Sequence, residues 1–204
     1  PDPMPPDSAF RAPRIAPGGS IREKSLNLGT ALRFARIVVG LVLLITFGSI
    51  LLLIYTGRIG FYVVPSESML PTLRPKDQVL MTRRATYAPG DIVVLTDPAD
   101  PKSALVKRIV GVAGDLIEVR DRTLYRNRAP VKEPYLFEPM DFRFPPYRVP
   151  NGMVFVSGDN RNESEDSFRW RAAVPADSIR GLVRYIYLPN DRRGTITSAT
   201  AVQG

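Results

Sequence analysis

A mainly β protein, with an antiparallel barrel or paired sheets preceded by a single N-terminal apolar helix, is the fold that this sequence predicts. Three observations point to it. Ile37 to Gly57 reads IVVGLVLLITFGSILLLIYTG, uncharged throughout, between Arg36 and Arg58. Beyond residue 60, short runs rich in Val, Ile, Tyr and Phe alternate with clusters of Pro, Gly, Asp and Asn. The 204 residues include 20 prolines and 15 glycines, a composition that favours turns over long helices.

The apolar run has 21 residues, which at the helical rise cover about 30 Å, the thickness of a bilayer's hydrocarbon core. A core helix would keep one polar face, and this one is apolar all round. A cleaved export signal is shorter and ends at small residues, whereas Arg58-Ile59-Gly60-Phe61 follows here. A transmembrane helix is therefore expected over 34–58. Before it, residues 1–20 lack any hydrophobic period, so 1–33 is read as a disordered, basic, cytoplasmic segment. Arg22, Lys24, Arg33 and Arg36 against the single acid Glu23 keep that end inside by the positive-inside rule. The rest then lies across a plasma (inner) membrane, crossed once. Arg58, Arg74, Lys76, Arg83 and Arg84 follow the span, but large domains translocate largely regardless of charge.

The β-rich domain is expected over 59–190, with strands at 61–64, 78–81, 91–95, 104–112, 115–119, 153–156 and 181–188. Turn signals separate them, among them Pro75-Lys76-Asp77, Pro89-Gly90-Asp91 and Asn151-Gly152. The Pro-rich, aromatic stretch 127–150 reads as a loop or small extension, and 191–204 as a disordered tail.

Composition narrows the chemistry. The net charge of +8 suits nucleic acid or an anionic membrane, and the apolar run favours membrane lipid over nucleic acid. There is no Cys, which excludes disulfides and thiolate chemistry. There is also no His, which removes Ser-His-Asp sites, His-based zinc sites and the helical HExxH motif. Any nucleophilic chemistry must take its base from Lys, a carboxylate or an amine terminus.

Two stretches could carry such chemistry. In Val64-Pro65-Ser66-Glu67-Ser68-Met69-Leu70-Pro71, two prolines restrict the backbone around Ser68, and transition-state donors need a rigid frame. A Ser between prolines is also an ordinary turn. In Leu105-Val106-Lys107-Arg108-Ile109-Val110, alternation sends Lys107 to the face of Leu105 and Ile109, and Arg108 to that of Val106 and Val110. One cation thus lies on the more apolar side. A desolvated Lys can become a neutral base, whereas Arg stays charged. An exposed edge-strand Lys would mean nothing catalytic.

With a third stretch, Gly158-Asp159-Asn160-Arg161-Asn162-Glu163-Ser164-Glu165-Asp166-Ser167, these features form an ordered set. Ser68-Met69-Leu70-Pro71-Thr72-Leu73, Gly90-Asp91-Ile92-Val93, Lys107-Arg108 with Gly114-Asp115, and the 158–167 box occur in that order. In them the chain resembles bacterial-type signal peptidase I, a family of Ser-Lys endopeptidases, over roughly residues 37–190. The resemblance implies Ser68 as nucleophile and Lys107 as general base, with the Ser68 N–H and Ser66 hydroxyl as oxyanion hole. It also implies that Ser164 orients Lys107, that Arg108 pairs with Asp159, that Asp166 supports the last box, and that Met69 lines the substrate groove. Preproteins with Ala-x-Ala-like cleavage sites would be the substrates, and no metal or cofactor is implied. The family Arg or His two positions after Asp166 is Phe168 here, followed by Arg169. Either Arg169 takes over the pairing with Asp166, or that support is absent.

A self-cleaving repressor-type protein shares the Ser-Lys logic but is soluble and carries DNA-binding helices. A non-enzymatic membrane-anchored adaptor would have no need of Ser66, Ser68, Lys107 and Ser164 together.

Overall fold

The structure is a computed structural model that describes residues 28–196. The expected disordered start up to residue 27, including Arg22 and Lys24, and residues 197–204 lie outside the described residues.

Helix α1 runs over Leu28–Tyr55, beginning and ending earlier than the expected 34–58. None of its residues is buried, and an 18-residue window within it has a mean hydropathy of 3.0. Its end is a Schellman motif. Gly57 adopts φ 66°, its N–H donates to the Ile54 carbonyl at 3.0 Å, and the Arg58 N–H donates to the Leu53 carbonyl at 2.9 Å. Only Gly reaches that left-handed conformation at no steric cost, so Gly57 fixes where the helix stops.

The remainder is antiparallel β structure in two sheets. The larger contains β1 (Ile59–Val63), β2 (Gln78–Thr82), β3 (Ile92–Thr96), β4 (Ala104–Val112), β9 (Met153–Ser157), β10 (Val174–Pro175), β11 (Ile179–Leu188) and β12 (Gly194–Thr195). Its order is β1-β2-β11-β3-β4-β9-β10, with β12 also on β11. The smaller runs β7 (Ala129–Pro130), β6 (Thr123–Arg126), β5 (Leu116–Arg120), β8 (Phe144–Arg148). All seven strands read from the sequence are present, 104–112 with the expected bounds and the others with bounds shifted by at most two residues.

The stretch 127–150 is more structured than a loop, because β7 and β8 fall within it. Pro145 and Pro146 disguise β8, yet it lies at the sheet edge, where the missing N–H groups cost no ladder bond. Hairpin β5–β6 turns at Asp121-Arg122, with φ 50° and 62°, and β6–β7 turns at Asn127-Arg128, with φ 54° and 72°. These are left-handed turns made without glycine, so their usual signal is missing. Residues 191–196, expected in a disordered tail, also fold. The Arg192 guanidinium donates to Asp77 at 2.8 Å and to the Thr72 carbonyl at 3.2 Å, and β12 then pairs with β11.

Three buried clusters fill the β body. Val93, Leu95, Ile109, Val156 and Leu182 form one, and Val64, Met69, Leu73, Val94, Val106 and Val183 another. The third joins the sheets through Val110, Ile117, Phe144, Phe155 and Phe168, with Phe155 and Phe168 rings 4.9 Å apart at 67°. Strand β4 therefore has core on both faces. Residues 106–111 are all buried, so both Lys107 and Arg108 are taken inside rather than one of them.

Candidate active site

Two connections converge on the middle of β4. The first, between β1 and β2, carries Ser68 in a single 3-10 turn over Glu67–Met69. Its ends are tied by the Val64 N–H to the Asp77 carbonyl and the Lys76 N–H to the Val64 carbonyl, each at 2.8 Å. Its apolar side chains Met69 and Leu73 are 1% and 0% exposed, which seats the turn firmly. The second connection follows β9. Because Ser157 is in register with Arg108, residues 158–167 leave the sheet beside Lys107.

The lysine amine lies between two serines. Lys107 Nζ is 2.9 Å from Ser68 Oγ and 3.0 Å from Ser164 Oγ. Ser66 donates its hydroxyl to Ser68 Oγ at 3.2 Å. Lys107, Ser68 and Ser164 are buried, and Ser66 is exposed. Burial pushes the Lys107 amine below the usual lysine range, while the carboxylates of Asp166, Glu165, Asp97 and Asp159 act against that shift. Such an amine can be neutral, and a neutral amine at 2.9 Å can accept the proton of a serine hydroxyl.

The other predicted residues surround this centre. Arg108 grips Asp159 with two bonds of 2.7 Å and donates to the Gly90 carbonyl at 2.8 Å. Asp166 accepts from the Ser157 hydroxyl at 2.8 Å, the Gly158 N–H at 3.0 Å and the Phe168 N–H at 3.0 Å. Met69 packs into the core beside Leu73 rather than lying open, being 1% exposed. The choice left open at Phe168 is settled. Arg169 does not pair with Asp166; it reaches the Asn162 carbonyl and Glu165. The Phe168 ring instead enters the aromatic cluster, and Asp166 is satisfied by a hydroxyl and two backbone donors.

Sequence reasoning missed several participants. Thr72 donates to Asp159 at 2.5 Å, and the Tyr135 ring covers the Arg108 guanidinium at 3.8 Å. Glu133 forms a buried pair with Arg161 at 2.6 Å and accepts from the Tyr135 hydroxyl at 2.8 Å. Arg161 in turn donates to the Gly158 carbonyl at 2.9 Å. Glu133 and Tyr135 lie in the stretch read as loop, where no pattern marked them. Gly158 is tied to its position by space: a Cβ would overlap the Ser68 carbonyl and the Ser164 side chain. A concavity of 420 Å³ lined by Arg83, Tyr87, Val112, Met153 and Val154 contains none of the predicted residues.

A buried serine hydroxyl beside a buried lysine amine, set in an antiparallel β body, is an arrangement that a hydrolase of the serine type can use. Comparison with known proteins places it more closely. The family described as signal peptidase, peptidase S26, matches residues 33–188, and the chain belongs to that family of serine peptidases. It is 36% identical over 150 residues to a probable signal peptidase I-1 of Synechocystis, covering 68% of this chain and 76% of that one. It is 33% identical over 149 residues to a signal peptidase I of Bacillus licheniformis, with 66% and 80% covered. Against a chloroplastic thylakoidal processing peptidase 1 of Arabidopsis thaliana the identity is 37%, with 62% of this chain and 41% of that one covered. A crystal structure of a signal peptidase I from Enterococcus faecalis is 30% identical, with a TM-score of 0.44 over 50% of this chain and 98% of that one.

Proposed function

We propose that this protein is a membrane-anchored endopeptidase that removes signal peptides from exported preproteins, with Ser68 as nucleophile and Lys107 as general base. The observation that carries the reading is the buried 2.9 Å approach of Lys107 Nζ to Ser68 Oγ in a chain of the signal peptidase family. As Ser68 Oγ attacks the scissile carbonyl, its proton passes to the neutral Lys107 amine. The Ser68 N–H and the Ser66 hydroxyl stabilise the oxyanion. The lysine ammonium then protonates the leaving amine, and water hydrolyses the acyl-enzyme with Lys107 again taking the proton. Ser164 holds the amine on line, Asp166 supports the turn around it, and the Arg108–Asp159 pair braces the connection to Thr72.

Helix α1 is the anchor. Its 28 residues at the helical rise exceed the hydrocarbon thickness, and its apolar surface is exposed on every side. The N-terminus stays cytoplasmic, and residues 59–190 work on the far side of the plasma membrane. A signal held in the same bilayer then meets the site at raised effective concentration. The substrate lies as an extended strand with small residues, such as Ala, at the first and third positions before the cut.

The test is cleavage of a preprotein carrying an Ala-x-Ala site by the full chain in detergent or proteoliposomes, beside Ser68→Ala. Cleavage by the parent and none by Ser68→Ala are expected. Equal activity of the two would remove Ser68 from the mechanism.

A further inference from the structure

The 158–167 turn does more than bring Ser164 to the lysine. Asn160 reaches across to the turn that holds Ser68. Its backbone N–H donates to the Ser68 carbonyl at 3.0 Å, and its side-chain Nδ2 donates to the Glu67 carbonyl at 3.3 Å. The Glu67 carbonyl also accepts from the Leu70 N–H at 3.0 Å. The Glu67–Ser68 peptide bond is trans. In a planar trans peptide the C=O and N–H point in opposite directions. Donors that fix the Glu67 carbonyl therefore fix the direction of the Ser68 N–H. Holding the Ser68 carbonyl fixes the next peptide plane, so the nucleophile's backbone is clamped on both sides.

We propose that Asn160 is a positioning residue that aims the Ser68 N–H at the oxyanion of the transition state. Asn160 is 4% exposed, and its Oδ1 has no hydrogen-bond partner among the described residues. A buried amide kept only for stability would pair its acceptor as well as its donor. Here the side chain is used for its N–H alone, toward the one carbonyl that governs the oxyanion donor. The inference rests on Ser68 being the nucleophile.

The experiment uses the full chain with Asn160→Asp, which keeps shape but sets an acceptor against the Glu67 carbonyl, and Asn160→Ala. In preprotein cleavage each lowers kcat about 10- to 100-fold with little change in KM, the scale of a misaimed oxyanion donor. A second readout separates aiming from general structure. A small peptide aldehyde adds to Ser68 Oγ and places an oxyanion in the hole; the matching peptide alcohol cannot. The variants lose aldehyde affinity in proportion to kcat and keep alcohol affinity. Parental kcat in Asn160→Asp, or equal loss of aldehyde and alcohol affinity, overturns the proposal. Should Asn160→Ala fail to fold, Asn160→Asp decides alone. An inactive Ser68→Ala beside a fully active Asn160→Asp removes this inference and leaves the nucleophile standing.

Discussion

Gly158 lies so close to Ser68 that a Cβ on the glycine would overlap the serine's carbonyl oxygen, and the same atom would strike Ser164. The turn that carries Ser164 and the turn that carries Ser68 thus meet at close range, with no room for a side chain between them. The contacted atoms are backbone and a buried side chain, so they cannot swing aside. Gly158→Ala is expected to separate Ser68, Lys107 and Ser164 and to lower kcat by about 100-fold or more, as a misplacement near 1 Å does. Single-turnover cleavage of a preprotein measures it, and parental activity would contradict the packing argument.

Ser164 contributes its hydroxyl to the amine at 3.0 Å and to the Gly158 N–H at 3.2 Å. Ser164→Ala leaves the base in place but unguided. A loss in kcat is expected, smaller than that of Lys107→Ala, with KM near the parental value. Complete inactivity equal to that of Lys107→Ala would give Ser164 a chemical role beyond orientation.

The buried amine also makes stability depend on pH. The folded-state pKa of Lys107 lies below the ordinary 10.5 because burial disfavours the charged form. Between the lowered value and 10.5 the unfolded chain binds more protons than the folded one, so stability rises with pH across that window. Below the lowered value the folded state holds a desolvated ammonium and is least stable. Denaturant titrations from pH 7 to 10 are expected to show this rise in the parent and a flatter profile in Lys107→Met. The Met variant should also be at least as stable at pH 7. A Lys107→Met protein with an unchanged slope would contradict the assignment.

Glu133 neutralises Arg161 in a site where the two side chains are 3% and 0% exposed. Burial alone would lower the Arg161 pKa, and Glu133 outweighs it. Glu133→Ala strands a buried guanidinium and is expected to cost about 3–5 kcal/mol, read by urea denaturation. A loss below about 1 kcal/mol would mean that water reaches Arg161.

Much of this arrangement was legible in the sequence, for identifiable reasons. The α1 signal is strong because 21 consecutive uncharged residues have few other uses, and the strands of the larger sheet are dense in branched and aromatic residues. Absence of His left Lys among the possible bases, and the resemblance carried by the order of the Ser68, Lys107 and Ser164 boxes singled out the three side chains that the fold brings together. What stayed hidden depends on three-dimensional partners. Glu133 and Tyr135 matter because Arg161 and Arg108 stand beside them, and nothing in the run Glu133-Pro134-Tyr135 states that. Strands β6 to β8 were missed because their turns use Asp121-Arg122 and Asn127-Arg128, and because β8 contains two prolines. Phe168 looked like a missing cation; its ring instead belongs to the aromatic core, and Asp166 needs no guanidinium.

Lys107 as a neutral base is the claim on which the chemistry rests. Its most direct test is a titration of the Lys107 ζ-nitrogen by heteronuclear NMR in the detergent-solubilised full chain. A single midpoint below 10.5, matching the acid limb of kcat/KM for preprotein cleavage, is the expected result. A ζ-nitrogen that stays protonated through the pH range in which the enzyme is fully active would contradict it.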